Sequence, residues 1–146
     1  MSGIIGAGSK SGKIGQTELE YEEGSWTPTN NGGSTGFSGQ YGRYVRVGKV
    51  VHVTTYFTLD NAGVGDDAEL GGLPYPATDD TNAHYAFQGH FSFLHDQSAN
   101  DKWHVMARFR PGDTFCKFYK SGSNTAFVEH EIDNEAIGLS GTYMIN

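Results

Sequence analysis

The chain has 146 residues, with 21 glycines, only 4 prolines and a formal net charge of −7. Because no basic stripe offsets this acidic charge, we expect no nucleic-acid partner. No apolar run approaches the ~18 residues that a membrane helix needs, so we expect no membrane partner either.

Composition favours an all-β fold in one domain. Aromatic residues make up 13% of the chain, and many glycines beside many aromatics are typical of strands joined by tight turns. A chain of this length can bury a core without disulfides or metal. The single cysteine, Cys116, lies in a strand-like run and is predicted to be a small buried hydrophobe rather than a nucleophile.

Residues 1–17 form a Gly- and Ser-rich segment of low complexity. Such a segment has too little apolar surface to offset its own ordering entropy. Its isoleucines are unusual for an idle linker, and we interpret it as a tether that orders against a partner; a frayed terminus is the alternative. The residues assigned to docking are Ile4, Ile5, Lys10, Lys13 and Ile14.

The predicted domain division places an attachment arm at 1–23 and a β-sandwich at 24–146. Residues 18–23 carry four glutamates and could begin a helical turn, which Gly24 would stop early. Residues 24–28 are predicted to be a short edge strand, in which Trp26 closes one end of the core. Residues 30–40 are predicted to be a loop.

The most regular pattern is a predicted hairpin over residues 43–59. One strand covers 43–47, Gly48 and Lys49 make a two-residue turn, and the partner strand covers 50–59. The second strand alternates with period two, which indicates a half-buried strand. The core face is predicted to carry Val51, Val53, Thr55, Phe57 and Leu59, and the other face His52, Thr54, Tyr56 and Thr58.

The rest of the chain continues the strand-and-turn pattern. An acidic turn region at 60–69 precedes a short strand at 70–77, which leaves through two prolines. Further strands are predicted at 85–95, 103–110, 115–120, 125–128 and 136–145. About eight or nine strands and no convincing helix predict an antiparallel β-sandwich, with a jelly-roll-like variant left open, behind an extended Gly/Ser-rich arm.

No sequence pattern in the chain indicates a catalytic or metal site. Residues 8–14 resemble a phosphate loop but have three residues between the glycines instead of four, and Ile14 where Ser or Thr is needed. The acidic residues between Asp60 and Glu69 do not follow the order of an EF-hand. We therefore expect no catalytic residues, no metal and no cofactor. The six histidines lack metal-ligand spacing, although His52, His90 and His104 could meet across strands.

Exposed aromatic residues could form a sugar-binding platform, since a ring with a polar tip suits glycans and protein interfaces alike. Core packing is the first assignment for most of them. The three residues named for surface recognition are His52, Tyr56 and Tyr75.

Three motifs resemble a recurring bacteriophage virion module. They are Tyr21–Pro28, which contains EEGSWTP, then Gly42–Val51, and then Gly72–Tyr75. The module has an EEGTWTP-like entry, a GxYxxxG hairpin and a GLPF-like turn. It is found at the ends of tail and head fibres and in small capsid-surface proteins. The resemblance covers roughly the first 77 residues.

The resemblance implies a role for particular residues and for the whole protein. The motif residues that would specify the fold are Trp26, Gly42, Tyr44, Gly48, Leu73 and Pro74. The protein would be a homotrimer on the virion surface that contacts other virion proteins through its arm. The leading hypothesis is a non-enzymatic decoration protein or fibre component. The alternatives are an adhesin that binds a host surface glycan and, third, an enzyme that degrades surface polysaccharide.

Overall fold

The computed structural model describes residues 20–33, 36–59, 66–79, 92–95, 105–109, 111–120, 126 and 136–146. Within them the chain forms nine strands and no helix. The strands are β1 (Tyr21–Trp26), β2 (Thr29–Asn30), β3 (Phe37–Val47), β4 (Val50–Leu59), β5 (Glu69–Gly71), β6 (Ser92–His95), β7 (Val105–Phe109), β8 (Cys116–Lys120) and β9 (Ala136–Met144).

The strands form two antiparallel sheets that share one core. The five-stranded sheet has the order β1-β3-β4-β9-β6, and the four-stranded sheet has the order β2-β5-β8-β7. The predicted β-sandwich is therefore confirmed, whereas the narrower jelly-roll description stays a prediction. The two sheets meet at Phe109 and Tyr143, whose rings stack with centroids 4.8 Å apart.

The hairpin of β3 and β4 confirms the predicted turn and the predicted faces. Gly48 has a φ of 57°, the left-handed conformation that a two-residue turn requires and that glycine adopts without a Cβ clash. On β4 the burial alternates along the whole strand. Val51, Val53, Phe57 and Leu59 are buried in the core, and Thr55 is buried with them.

The strand before this turn is longer than the sequence pattern indicates. β3 begins at Phe37, within the segment that was predicted to be a loop, so the loop prediction is wrong for 37–40. The extension pairs with the end of β4 and contains an irregularity between Ser38 and Tyr41. It is stabilised by tertiary packing, since the ring of Phe37 stacks on that of Phe57 at 4.1 Å between centroids.

The first strand also begins earlier than expected. β1 starts at Tyr21 and pairs with β3 without a break, from Tyr21 opposite Val47 to Trp26 opposite Gly42. The expected helical turn over 18–23 is wrong for residues 21–23, because the ladder to β3 provides backbone partners that an isolated helical turn lacks. Residues 21–23, assigned to the arm from sequence, therefore belong to the sheet; residues 1–19 lie outside the described residues.

Two glycines on the inner side of β1 and β3 make room for two aromatic rings. A Cβ on Gly42 would lie 2.6 Å from Nε1 of Trp26, and a Cβ on Gly24 would lie 2.7 Å from Cε1 of Tyr44. Each ring thus covers the glycine directly opposite it in the ladder. The Trp26 indole also donates a hydrogen bond to the carbonyl of Arg43 at 3.2 Å. These are the structural positions of three motif residues.

The strand at the third motif, Gly72–Tyr75, ends sooner than predicted. β5 ends at Gly71, where a strand was expected to run to Ala77. The next residue, Gly72, has a φ of 75°, which a strand does not adopt, and a Cβ on it would lie 2.4 Å from the carbonyl oxygen of Thr27. Leu73 is then buried in the core, and its backbone N–H donates to Thr114 at 3.0 Å. Pro74 is half-buried.

The remaining strand predictions are confirmed where the structure describes them. β7, β8 and β9 lie within the predicted ranges, and Cys116 is buried, as predicted. Burial raises the pKa of the Cys116 thiol, so the thiolate that a nucleophile needs is disfavoured. β6 occupies the end of the predicted strand 85–95. Of the predicted strand 125–128, the structure describes Ala126, which forms an isolated bridge to Tyr119.

Replacing Phe57 with alanine is expected to lower the free energy of unfolding by about 3–5 kcal/mol, because a fully buried aromatic side chain is lost. The matched control is Tyr56→Thr, which changes the neighbouring outward-facing residue and keeps a good strand former. That change is expected to stay within about 0.5 kcal/mol. Urea denaturation of both variants measures the two values. A loss below about 0.5 kcal/mol for Phe57→Ala would contradict the assigned core face.

Candidate functional site

The outer face of the five-stranded sheet is the candidate functional surface. Among the described residues, the exposed large hydrophobic side chains all lie at outward-facing positions of this sheet. They are Tyr21, Tyr41, Val47, Val50 and Tyr56. Their common face follows from the ladder, because they lie opposite one another or an even number of residues apart along β1, β3 and β4. Exposed apolar residues gathered on one face indicate a contact surface.

The strand register arranges this face in cross-strand rows, and four of them lie between the β3–β4 turn and the irregularity after Ser38. The apolar row consists of Tyr21, Val47, Val50 and Met144, which are successive partners across β1, β3, β4 and β9. Such directly opposed side chains are close neighbours on a sheet surface. The apolar row lies at the end of β1 where the chain enters the sheet after Glu20.

The histidine row lies next to the apolar row and consists of Glu23, Val45, His52 and Thr142. His52 is exposed, and both of its ring nitrogens face hydroxyls of β9. Its Nδ1 lies 3.0 Å from Oγ1 of Thr142, and its Nε2 lies 3.3 Å from Oγ of Ser140. These contacts fix the imidazole plane over the neighbouring strand.

The last two rows combine hydroxyls, one guanidinium and two rings. The polar row consists of Ser25, Arg43, Thr54 and Ser140, and the aromatic row of Tyr41, Tyr56 and Gly138. Cζ of Arg43 lies 5.4 Å from the centroid of the Tyr41 ring, and its Nε donates a hydrogen bond to the Tyr41 hydroxyl. This hydrogen bond is the main reason why the pKa of Arg43 is raised.

A second polar cluster, the carboxylate clasp, consists of Glu22, Tyr44, Arg46 and Tyr75. It lies at the edge of the sheet, on the face opposite to the four rows. The hydroxyl of Tyr44 donates to Oε1 of Glu22 at 2.6 Å, and the hydroxyl of Tyr75 donates to its Oε2. The two rings meet edge to face with centroids 5.9 Å apart. Cζ of Arg46 lies 5.2 Å from the centroid of the Tyr75 ring.

The carboxylate clasp changes the ionisation of its members. The hydrogen bonds from Tyr44 and then Tyr75 lower the pKa of the Glu22 carboxyl, because they stabilise its charged form. The same carboxylate raises the pKa of the Tyr44 hydroxyl, since it accepts a hydrogen bond from the neutral form. The arrangement fastens the edge strand β1 to the segment after β5, so it is a structural contact.

The three residues named for surface recognition are not one site. His52 and Tyr56 share the outer face of β4. Tyr75 is half-buried in the carboxylate clasp, and its backbone N–H and carbonyl both contact the Tyr143 hydroxyl. The docking residues of the arm lie in 1–19, outside the described residues.

Two acidic residues of the 60–69 region, Asp67 and Glu69, contact a lysine. Nζ of Lys117 lies 2.7 Å from Asp67 and 2.7 Å from Glu69, which is buried. Asn31 donates to the other oxygen of Glu69 at 2.8 Å. Within the described ranges, no group of three or more His, Cys, Asp or Glu residues is placed to hold a metal ion. His90 and His104 lie outside those ranges, so the alternative that they meet His52 across strands stays open.

Tyr41, Arg43 and the apolar row were not among the functional candidates predicted from the sequence. Tyr41 was assigned neither to a strand nor to a face, since β3 was expected to begin at Arg43. Period-two alternation extended back from Val47 would have placed Tyr41 and Arg43 on one face. The pairing of Tyr41 with Tyr56 depends on the strand register, which includes an irregularity that local patterns do not indicate.

The carboxylate clasp predicts a specific acid sensitivity. A carboxyl whose pKa is lowered in the folded state contributes stability above its unfolded pKa, and this is lost as the pH falls through the folded pKa. Starting from the usual Glu value of 4.5, the urea midpoint of the wild type should fall on acidification. In Glu22→Gln this fall should be smaller. Tyr75→Phe removes one donor and should give an intermediate result; equal acid slopes in all three proteins would refute the assignment.

The part of the chain that the structure describes contains no helix long and apolar enough to cross a membrane. In the comparisons with known proteins, no family model, no curated protein and no solved structure matches this chain.

Proposed function

We propose that the protein is a non-enzymatic structural component displayed on the surface of a bacteriophage particle, as a capsid decoration protein or part of a fibre. Attachment uses residues 1–17 together with the apolar row. The observation that carries the proposal is the position of this row at the end of the sheet where the arm joins β1. A partner that binds the arm would therefore lie beside Tyr21, Val47 and Val50.

The motif residues that carry the resemblance have a structural role in the fold. Trp26 and Tyr44 cover Gly42 and Gly24, and Leu73 is buried in the core. Residues used in this way specify the entry strand, the hairpin and the exit from β5. Motifs made of such residues therefore identify a fold, and the function depends on the surface residues that this fold displays.

A variant that begins at Glu18 is expected to fold but to be lost from purified particles, because it lacks the isoleucines of the arm. The double variant Val47→Thr/Val50→Thr keeps strand-forming side chains and is expected to bind particles about tenfold more weakly. The control is Tyr56→Thr, which changes the aromatic row on the same face and should join particles normally. Quantitative immunoblotting of purified particles, with circular dichroism of each variant, measures these outcomes.

Undiminished incorporation of the variant that begins at Glu18 would refute the role of the arm. Equal incorporation of Val47→Thr/Val50→Thr and wild type would refute the role of the apolar row. If only Tyr56→Thr lost incorporation into particles, attachment would lie at the aromatic row, and the role of the apolar row would be refuted.

The proposed assembly is a homotrimer, and the number three comes from the resemblance. Sheets that expose an apolar face offer it for subunit contacts as well as for other partners. Light scattering on the purified protein is expected to give three times the chain mass of 15.8 kDa. A mass of one chain at every concentration would exclude the trimer.

A second candidate function is adhesion to a host surface glycan. One observation favours it: Tyr41 and Tyr56 are directly opposed in the ladder, with 52% and 47% of their surface exposed. Two adjacent exposed rings offer apolar faces with polar tips, which suit the faces of sugar rings. Attachment and adhesion are compatible, since the apolar row and the aromatic row lie at different levels of the same sheet.

A further inference from the structure

The aromatic row and the polar row together have the composition of a sugar-binding surface. Tyr41 and Tyr56 provide ring faces, and Gly138 adds no side chain beside Tyr56. The polar row continues one step along the strands, ~7 Å away on the same face. A sugar that packs against the rings therefore has hydroxyls of the polar row within reach of its own hydroxyls.

Arg43 gives this surface its charge. The guanidinium packs against the Tyr41 ring and is held through Nε by the Tyr41 hydroxyl. Its position next to the Tyr41 ring is thereby fixed, and a guanidinium presents a planar fork of donors that matches a carboxylate. An arginine held in this way discriminates between an acidic and a neutral sugar.

Within the polar and aromatic rows the charge is positive, which suits an anionic ligand. Arg43 is the one charged residue in the polar and aromatic rows as the described strands define them. Glu23 lies on the histidine row and interacts electrostatically with Arg43, and the whole chain has a net charge of −7. A carboxylate brought to this face is attracted by Arg43 and repelled by Glu23 and by the net negative charge of the chain, so Arg43 is the position on these two rows where it would bind.

We infer that the aromatic row and the polar row bind a glycan whose sugars carry carboxylates, with sugar faces on Tyr41 and Tyr56 and a carboxylate on Arg43. This inference rests on the second candidate function, adhesion to a glycan, and names the class of glycan. It does not depend on how the protein is attached to the particle.

The test uses tetrasaccharides of glucuronate, galacturonate and mannuronate, each paired with its methyl ester, which removes the charge and keeps the sugar. Calorimetric titration of the full chain is expected to show binding of at least one uronate and at least tenfold weaker binding of its ester. Arg43→Gln should weaken binding of the acid by about tenfold or more and leave the ester unchanged, because one charge-assisted contact is lost.

Ring variants separate this surface from the rest of the sheet. Tyr56→Thr should weaken the acid and the ester alike. Tyr41→Thr should weaken the acid more than the ester, because it also removes the hydroxyl that holds Arg43. Tyr21→Thr, on the apolar row, should weaken neither. Circular dichroism and urea denaturation show that each variant is folded. An equal loss in Tyr21→Thr would overturn the assigned location.

Two failures remain distinguishable. If an ester binds as tightly as its acid and binding needs Tyr41 and Tyr56, adhesion to a glycan stands and the acidic class is wrong. If none of the six saccharides binds, the inference is overturned. Incorporation into particles is measured separately, so neither result changes the proposal for attachment.

Discussion

The alternation of β4 is the constraint on which both sides of this molecule depend. The strand lies in the interior of the five-stranded sheet, between β3 and β9. Its inward residues are buried in the core, and its outward residues from Val50 to Tyr56 contribute one residue to each of the four rows. A shift of one residue would exchange the two sets. Burial of Val51, Val53, Phe57 and Leu59 therefore also determines that His52 and Tyr56 are displayed.

The edge of this sheet is held by contacts that differ from those in the core. β1 is an edge strand that pairs with β3 on one side and with no described strand on the other. An edge strand needs protection from further pairing. Glu20, Glu22 and Glu23 place charge along it, and Glu22 also fastens it through the carboxylate clasp. The Trp26 and Tyr44 rings fill the space above two glycines, so a strand with few aliphatic residues still packs.

This architecture separates two surface chemistries on one rigid support. The apolar row suits a protein contact, because desolvation of aliphatic and aromatic side chains drives such association. The polar and aromatic rows suit a ligand that needs both hydrogen bonds and a flat apolar face. The histidine row lies between them, and its imidazole is held by hydroxyls of the neighbouring strand. A protein attached through the apolar row could thus leave the polar and aromatic rows exposed to a ligand.

Local patterns determined the hairpin turn, the faces of β4 and the burial of Cys116, because period-two alternation and a glycine turn act over a few residues. Only the tertiary structure decided where β1 and β3 begin, since those ends are stabilised by partners that are distant in sequence. It also decided that Tyr41 lies beside Tyr56 and that Tyr75 contacts Glu22, 53 residues away along the chain. Which side chains become neighbours depends on strand register, and register is set by the packing of the whole core.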